Sequence, residues 1–413
     1  MIQLRDHQML LVHKCEQVLK EKHLCYLAAE ERVGKTFVAL ELTRKLCSHR
    51  EPVLIVTKKK ALEGWERSLE DFKDFIRGVD IKCTNYEQLR KLDFKPGFVI
   101  LDEAHHGIGA YPRFSKTAAL AQNFAYDADY VLLLSATPHA ESYAQLFHQF
   151  NVSRFSPWDS YKDFYAWFKD YGIPEFQWIA GRQIRKYNKT QGDKVLGDVE
   201  GYFVRMSRAE AGFEIEPEDH IHYVELSTQI RSEYEALEKA HLLPFDNGHI
   251  YEADTPLKLI LGLHQLEGGT LKLDKRGWNT IIYEESQNTK VQYIKEQWGD
   301  TEDVAIFYNY IAEGEMLRKS FQNARIFQGT AYAEGIDLSH VKTLVIYSQN
   351  FSASKYIQRK ARQCNYNRKE PIHVHFLLVK GCISEMIYES VANKNRNFTS
   401  NIYTYEKSKV KNG

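Results

Sequence analysis

Along the first 140 residues, short unbroken apolar runs alternate with segments whose apolar residues recur at helical spacing. LCYLAA (24–29), VLIVT (53–57), the front of GFVILDEAHH (97–106) and the middle of DYVLLLSATPH (129–139) are such runs, and the last two end in polar residues. FVALELTRKL (37–46) reads as a helix. Apolar strands alternating with helices predict a parallel sheet covered on both faces. Ligands of such sheets bind beyond the carboxyl ends of the strands, where these polar residues fall.

The pattern weakens from about 150 to 225. SPWDSYKDFYAWFKDYG (156–172) is helical and aromatic, and GRQIRKYNKTQGDK (181–194) is basic and polar. Trp158, Tyr161, Phe164, Trp167 and Phe168 form a stripe at helical spacing that predicts core packing. TQIRSEYEALEKAH (228–241) is a helix leading to a polar stretch with Pro244 and Asp246-Asn247-Gly248. A second alternating block follows, with strand candidates VAIFY (304–308), ARIF (324–327), TLVIY (343–347) and VHFLLV (374–379), and helices near 290–298 and 354–364. The pattern therefore divides the chain into an α/β domain over 1–240 with a helical or irregular extension at about 145–225, a connector at 241–255, and a second α/β domain over 256–413.

Composition narrows the function. The 413 residues, 43% of them hydrophobic, suit two or three domains. With 55 basic and 55 acidic residues the formal charge is zero, which argues against coating nucleic acid by bulk charge but not against a local groove. Six cysteines without a CxxC pair point to a reduced, intracellular protein without structural zinc. No apolar run is long enough to span a membrane, and the N-terminus lacks the form of a secretory signal.

Two stretches carry candidate chemistry. LAAEERVGKT (27–36) places Gly34-Lys35-Thr36 between a strand and a helix, the context of a phosphate-binding loop. Backbone N–H groups at the helix start attract phosphates. Lys35 would reach the β- and γ-phosphates, and Thr36 would ligate Mg²⁺. Ala29 stands where the full pattern has glycine, so an ordinary helix start is the competing reading. VILDEAHH supplies the second stretch: Asp102 ends a buried strand and can hold Mg²⁺, and Glu103 can take a proton from an attacking water. Together they indicate an ATPase. His105 and His106 are adjacent and lack a third ligand at suitable spacing, so no zinc site is expected there.

With these residues in place the sequence resembles the superfamily-2 helicases and translocases, most closely the Snf2-like group. DEAH (102–105) and SAT (135–137) match the second and third motifs of that family, and AEERVGKT (29–36) has the length of its DEMGLGKT. LRDHQ (4–8) resembles the opening that contacts adenine, implying Arg5 and Gln8 beside the nucleotide together with Gly34. LIVTKKKALEGWERSL (54–69) and TNYEQL (84–89) resemble segments that track nucleic acid, implying contacts from Thr57, Lys58, Lys59, Trp65, Asn85 and Tyr86. For Lys58-Lys59-Lys60 a solvated lysine run is the alternative. GTAYAEGIDLS (329–339) resembles the fifth motif, with Gly335 at a family position and Asp337 where many members have Asn. YIQRKARQC (356–364) resembles the sixth, with Gln358 the family glutamine and Arg359 and Arg362 the arginine fingers. Ala361 departs from a frequent Gly, and Asn365 from an arginine of some subfamilies. The resemblance implies two tandem RecA-like α/β domains, ATP and Mg²⁺ in the cleft between them, and coupling through His105, Ser135, Thr137 and Gly335.

By the same resemblance the partner is DNA, held with little sequence preference, duplex favoured and single-stranded or forked DNA open. The compact chain is similar to small helicase-like proteins of bacteriophages, which implies replication, recombination or repair in a host cytoplasm, with phage or host proteins of those processes as further partners. Two other readings stay open: a helicase unwinding RNA or forks, and a nucleotide-gated clamp or scaffold without motor activity.

Overall fold

The computed structural model describes residues 3–47, 51–139, 142–179, 182–245, 248–273, 280–329, 338, 341–352, 356, 363–364 and 366–393. The chain divides into two compact units, Met1–Phe213 and Glu214–Gly413. Each is an α/β unit of RecA-like kind, built on a parallel sheet flanked by helices.

Unit 1 opens with helix α1 (Asp6–Lys22), whose first turn is fixed by Gln8 accepting from the Arg5 backbone N–H at 3.0 Å. Strands β1 (Leu24–Ala29), β2 (Val53–Thr57), β3 (Ile81–Asn85), β4 (Phe98–Asp102) and β5 (Tyr130–Leu134) follow the apolar runs closely. All five residues of β2 are buried. Each such side chain removed from water contributes ~1.5–3 kcal/mol, which is why unbroken apolar runs settle as central strands.

Sheet order places β5 between β1 and β4, with Leu134 opposite Leu27 on one side and Asp102 on the other. The segments after β1, β4 and β5 therefore emerge side by side at one edge of the sheet.

The extension packs onto this sheet through rings. Trp158, Phe164, Trp167 and Phe168 of the stripe are buried in one cluster with Phe147 and Phe150, and Tyr161 packs against it partly buried. The single helix expected over 156–172 is shorter: α7 (Phe164–Tyr171) begins at Asp163, which caps it by accepting from the Ala166 N–H at 2.8 Å. Before it the chain turns, because the Ser156 hydroxyl captures the Trp158 N–H at 3.1 Å and offers the backbone a non-helical partner. The basic stretch forms a hairpin of β6 (Glu175–Ile179) and β7 (Arg182–Lys186), then α8 (Gly192–Val199). Strand β8 (Phe203–Met206) closes the six-stranded sheet against β1.

Unit 2 begins earlier than the pattern suggested. Residues 217–223, expected in the extension of the first domain, form β9 (Pro217–Tyr223) at the edge of the second sheet. Helix α9 (Thr228–Ala240) also belongs here, sharing a core with α10 (Pro256–Glu267) through Tyr234, Leu237, Leu259 and Leu263. The expected connector at 241–255 is thus internal to unit 2: β10 (Leu242–Pro244) and β11 (Ile250–Glu252) pair antiparallel, and Leu243 and Tyr251 are buried.

Next come the short antiparallel pair β12 (Thr270–Lys272) and β13 (Thr280–Ile282), and then helix α11 (Thr289–Trp298). The remaining strands are β14 (Val304–Tyr308), β15 (Arg325–Gln328), β16 (Thr343–Ile346) and β17 (Ile372–Leu378), and the sheet order is β15-β14-β16-β17-β9, all parallel. Among the described residues no helix is long and apolar enough to cross a membrane.

Candidate active site

The phosphate-loop candidate leaves β1 at Ala29. That residue is paired with Met206 in the sheet, fully buried, so the position needs a small side chain rather than glycine's conformational freedom. The left-handed positions are Arg32 (φ 70°) and Gly34 (φ 102°). At Gly34 a Cβ would come within 2.1 Å of Gln8 Nε2, so glycine is required there by conformation and by contact. Gln8 is buried and donates to the Val33 carbonyl at 3.5 Å, and His7 lies 3.1 Å from the same oxygen. These contacts fix the α1 start against the loop. Helix α2 (Lys35–Leu46) opens at the expected residue, with Thr36 half-buried in its first turn. The Lys35 ammonium donates to the carbonyls of Ala29 at 2.8 Å and Glu30 at 3.2 Å.

Asp102 sits at the carboxyl end of β4 in a full set of donors. Its Oδ2 accepts from the Thr57 hydroxyl at 2.7 Å and the Trp65 indole N–H at 2.9 Å, and its Oδ1 accepts from the Glu103 N–H at 3.0 Å. The Tyr86 hydroxyl donates to its backbone carbonyl at 2.8 Å. Burial pushes the Asp102 carboxyl above the usual range and the charge of Glu103 adds to this, while the Trp65 and Thr57 donors and then Lys35 oppose it. Glu103 has a left-handed backbone (φ 51°), and its Oε2 is buried with no hydrogen bond among the described residues, 3.4 Å from His105 Nδ1. His105 Nδ1 and Ser135 Oγ are 2.7 Å apart, and Ser135 Oγ accepts from the Thr137 N–H at 3.0 Å. The ends of β4 and β5 are thereby joined through His105, Ser135 and Thr137.

Glu31 was not singled out in the sequence. Its carboxylate is buried, raised by burial and by Glu103 and lowered by Lys35. Both of its oxygens lack hydrogen bonds among the described residues, and Arg208 Nη1 stands 3.9 Å from one of them. The Glu-Glu pair inside the loop was the available signal. Asp102, Glu103 and Glu31 concentrate negative charge beside Lys35, and both Glu31 oxygens and Glu103 Oε2 lack a protein hydrogen-bond donor among the described residues. Such an all-oxygen set fits a hard divalent cation such as Mg²⁺.

Four residues implied as nucleic-acid contacts stand elsewhere. Thr57 (0% exposed) and Trp65 (2%) are buried against Asp102 and cannot reach a strand in solvent. Tyr86 is buried under Gly107, and the Asn85 side chain accepts from the N–H groups of Glu87 and Gln88 at 3.1 Å to close a turn. Lys58 is half-buried and Lys59 exposed. Arg5 is exposed at the start of α1. Gly335, Gln358, Arg359 and Arg362 lie outside the described residues.

No protein-family model matches the chain. Over 95% of its length it is similar, at 20% identity, to the human chromodomain-helicase-DNA-binding protein 1, and it spans 26% of that protein's length. Among solved structures it is similar to the Sulfolobus solfataricus SWI2/SNF2 ATPase core in complex with dsDNA, at 15% identity over 95% of this chain and 91% of that one, with a TM-score of 0.45. These two proteins, a chromodomain helicase and a SWI2/SNF2 ATPase core, are what the chain is similar to.

Proposed function

We propose that the chain is a Mg²⁺-dependent, DNA-stimulated ATPase that moves along or remodels duplex DNA. The observation that carries the proposal is the convergence of Lys35, Asp102, Glu103 and the His105–Ser135 bridge at the adjacent ends of β1, β4 and β5. The relative's name, which includes helicase and DNA-binding, supports the same reading.

In this account Lys35 gives up the carbonyls of Ala29 and Glu30 and turns to the β- and γ-phosphates. Thr36 and Asp102 would hold Mg²⁺, with Asp102 aimed by Thr57 and Trp65. The chemistry supplied there would be neutralisation of the charge that develops on the phosphates. Glu103, with an unpartnered oxygen, takes a proton from the attacking water; the bond to γ-phosphorus forms as the β–γ bridge breaks. His105, Ser135 and Thr137 pass the resulting shift from β4 to β5. Gln8 reads the base against Gly34. By the resemblance, Arg359 and Arg362 act as arginine fingers, a device worth ~10³–10⁵ in rate.

Contacts from Lys58 and Lys59 go to phosphates, so binding carries little sequence preference and falls with salt. The setting proposed is phage replication, recombination or repair, which rests on the family resemblance. Replacing both Arg359 and Arg362 by Ala tests the roles: turnover should be lost while ATP binding persists. Loss of binding without a separate loss of turnover would contradict the finger role.

A further inference from the structure

The edge of the second sheet, in unit 2, carries a histidine wall, whereas the phosphate loop belongs to unit 1. Two His-x-His segments, His220–His222 on β9 and His373–His375 on β17, lie on neighbouring parallel strands. Period-two spacing puts both histidines of each segment on one face. The register places Glu218 opposite His373 and His220 opposite His375. His220 Nε2 and His373 Nδ1 are 2.8 Å apart, and Glu218 Oε2 is 4.0 Å from His220 Nε2. One donor atom from each of Glu218, His220 and His373 lies within 4.8 Å of the other two.

We propose that Glu218, His220 and His373 bind one transition-metal ion of the Zn²⁺ class. Ligand atoms ~2.0–2.1 Å from a tetrahedral ion stand about 3.4 Å from each other. The separations of 2.8 and 4.0 Å bracket that value, so small side-chain rotations reach it. Two imidazoles and one carboxylate suit Zn²⁺, Ni²⁺ or Cu²⁺ rather than the oxygen-seeking Mg²⁺ or Ca²⁺. The side chain of Glu218 is 70% exposed and that of His220 39%, which gives the ion an entry path and leaves a position for water.

Behind the three ligands the wall is braced. His222 Nε2 meets His375 Nδ1 at 2.9 Å, His222 Nδ1 meets the Tyr293 hydroxyl at 2.8 Å, and the Trp298 ring packs on His375 at 4.7 Å between centroids. These outer contacts orient the strands in the way that second-layer partners orient metal ligands. The proposed ion has a defined structural consequence. Strand β9 is the segment by which the chain enters unit 2, and its ladder runs along β17 alone. An ion held from both strands pins that edge.

The test uses the full-length, untagged chain, stripped with chelator and titrated by equilibrium dialysis with Zn²⁺, and with Co²⁺ to read the visible bands of a tetrahedral site. The variants are His220→Asn, Glu218→Gln and, as a surface-histidine control, His13→Asn. Glu218→Gln alters an exposed side chain, so it remains informative if His220→Asn fails to fold. The expected result is one ion per chain in the starting protein and in His13→Asn. Affinity should fall at least ~10-fold in the other two, and the melting temperature should rise with Zn²⁺ only where the site is intact. Absence of stoichiometric binding, or binding that both ligand variants leave unchanged, overturns the proposal.

Discussion

Trp65→Phe separates two roles for one residue. If Trp65 faces nucleic acid, as the family resemblance implied, losing the indole weakens DNA binding and leaves the Mg²⁺ and ATP dependence alone. The structure instead buries Trp65 with its N–H donating to Asp102 Oδ2 at 2.9 Å, so Phe removes one of the two side-chain donors that hold this oxygen. A hydrogen bond to a charged acceptor contributes ~1.5–3 kcal/mol, which corresponds to roughly 10- to 150-fold in the rate or half-saturation constant that depends on ionised Asp102. Burial and Glu103 already hold that carboxyl above the usual range, and losing a donor to its ionised form moves it further up. The acid limb of the pH–rate profile should therefore move to higher pH, a change that a merely weakened core would not produce. Thr57→Val should act in the same direction, and the double variant should cost less than the two losses added, since both donors act on one oxygen. The assay is steady-state hydrolysis against Mg²⁺–ATP across pH, with DNA affinity measured in parallel. Unchanged Mg²⁺–ATP dependence with weakened DNA binding would refute the reasoning.

Other outcomes follow from the same contacts. Gly107→Ala places a methyl 2.2 Å from the Tyr86 ring, whose hydroxyl holds the Asp102 carbonyl; urea denaturation should show ~1–3 kcal/mol of lost stability, and wild-type stability would contradict the packing. Tyr26→Phe strips a buried donor from Gln149 Oε1, now at 2.6 Å, and should cost ~1–3 kcal/mol by the same measurement. In unit 2, burial pushes Glu267 from its ordinary 4.5 to about 7, against the pull of Lys290 and Ser384. A raised carboxyl stabilises the fold below its unfolded value and loses that contribution as pH rises through the folded one. Glu267→Gln should therefore gain on the wild type between pH 4.5 and about 7, by up to ~3 kcal/mol, in melts run across that window; a pH-independent difference would count against the buried charge.

The elements that the sequence pattern located are those buried on both faces. VLIVT and the VAIFY strand are short, continuous apolar runs with β-branched residues, a length and composition that favour a buried strand over a helix. Strand β9 escaped because PEDHIHY is an edge strand with ionisable residues on both faces, so its period-two signal carries no apolar phase. Missing it moved the domain boundary from near Phe213 into 241–255. The phosphate-loop and DEAH residues were legible because their chemistry fixes residue type at fixed spacing. The partner of Trp65 was not, since it depends on β2 and β4 pairing in a sheet where they are far apart in the chain. Glu31 was hidden for a related reason: the charged groups that act on it, Glu103 and Arg208, arrive from the end of β4 and from beyond β8.

The central claim is that this site hydrolyses ATP in response to DNA. The most direct measurement is steady-state ATP hydrolysis with no nucleic acid, single-stranded DNA, duplex DNA, a fork and RNA, each across a salt series, in the starting chain and in Lys35→Ala. Duplex DNA should stimulate turnover strongly, salt should reduce that stimulation steeply, and Lys35→Ala should show no stimulated turnover. Stimulated hydrolysis that survives Lys35→Ala, or turnover indifferent to every DNA, would contradict it.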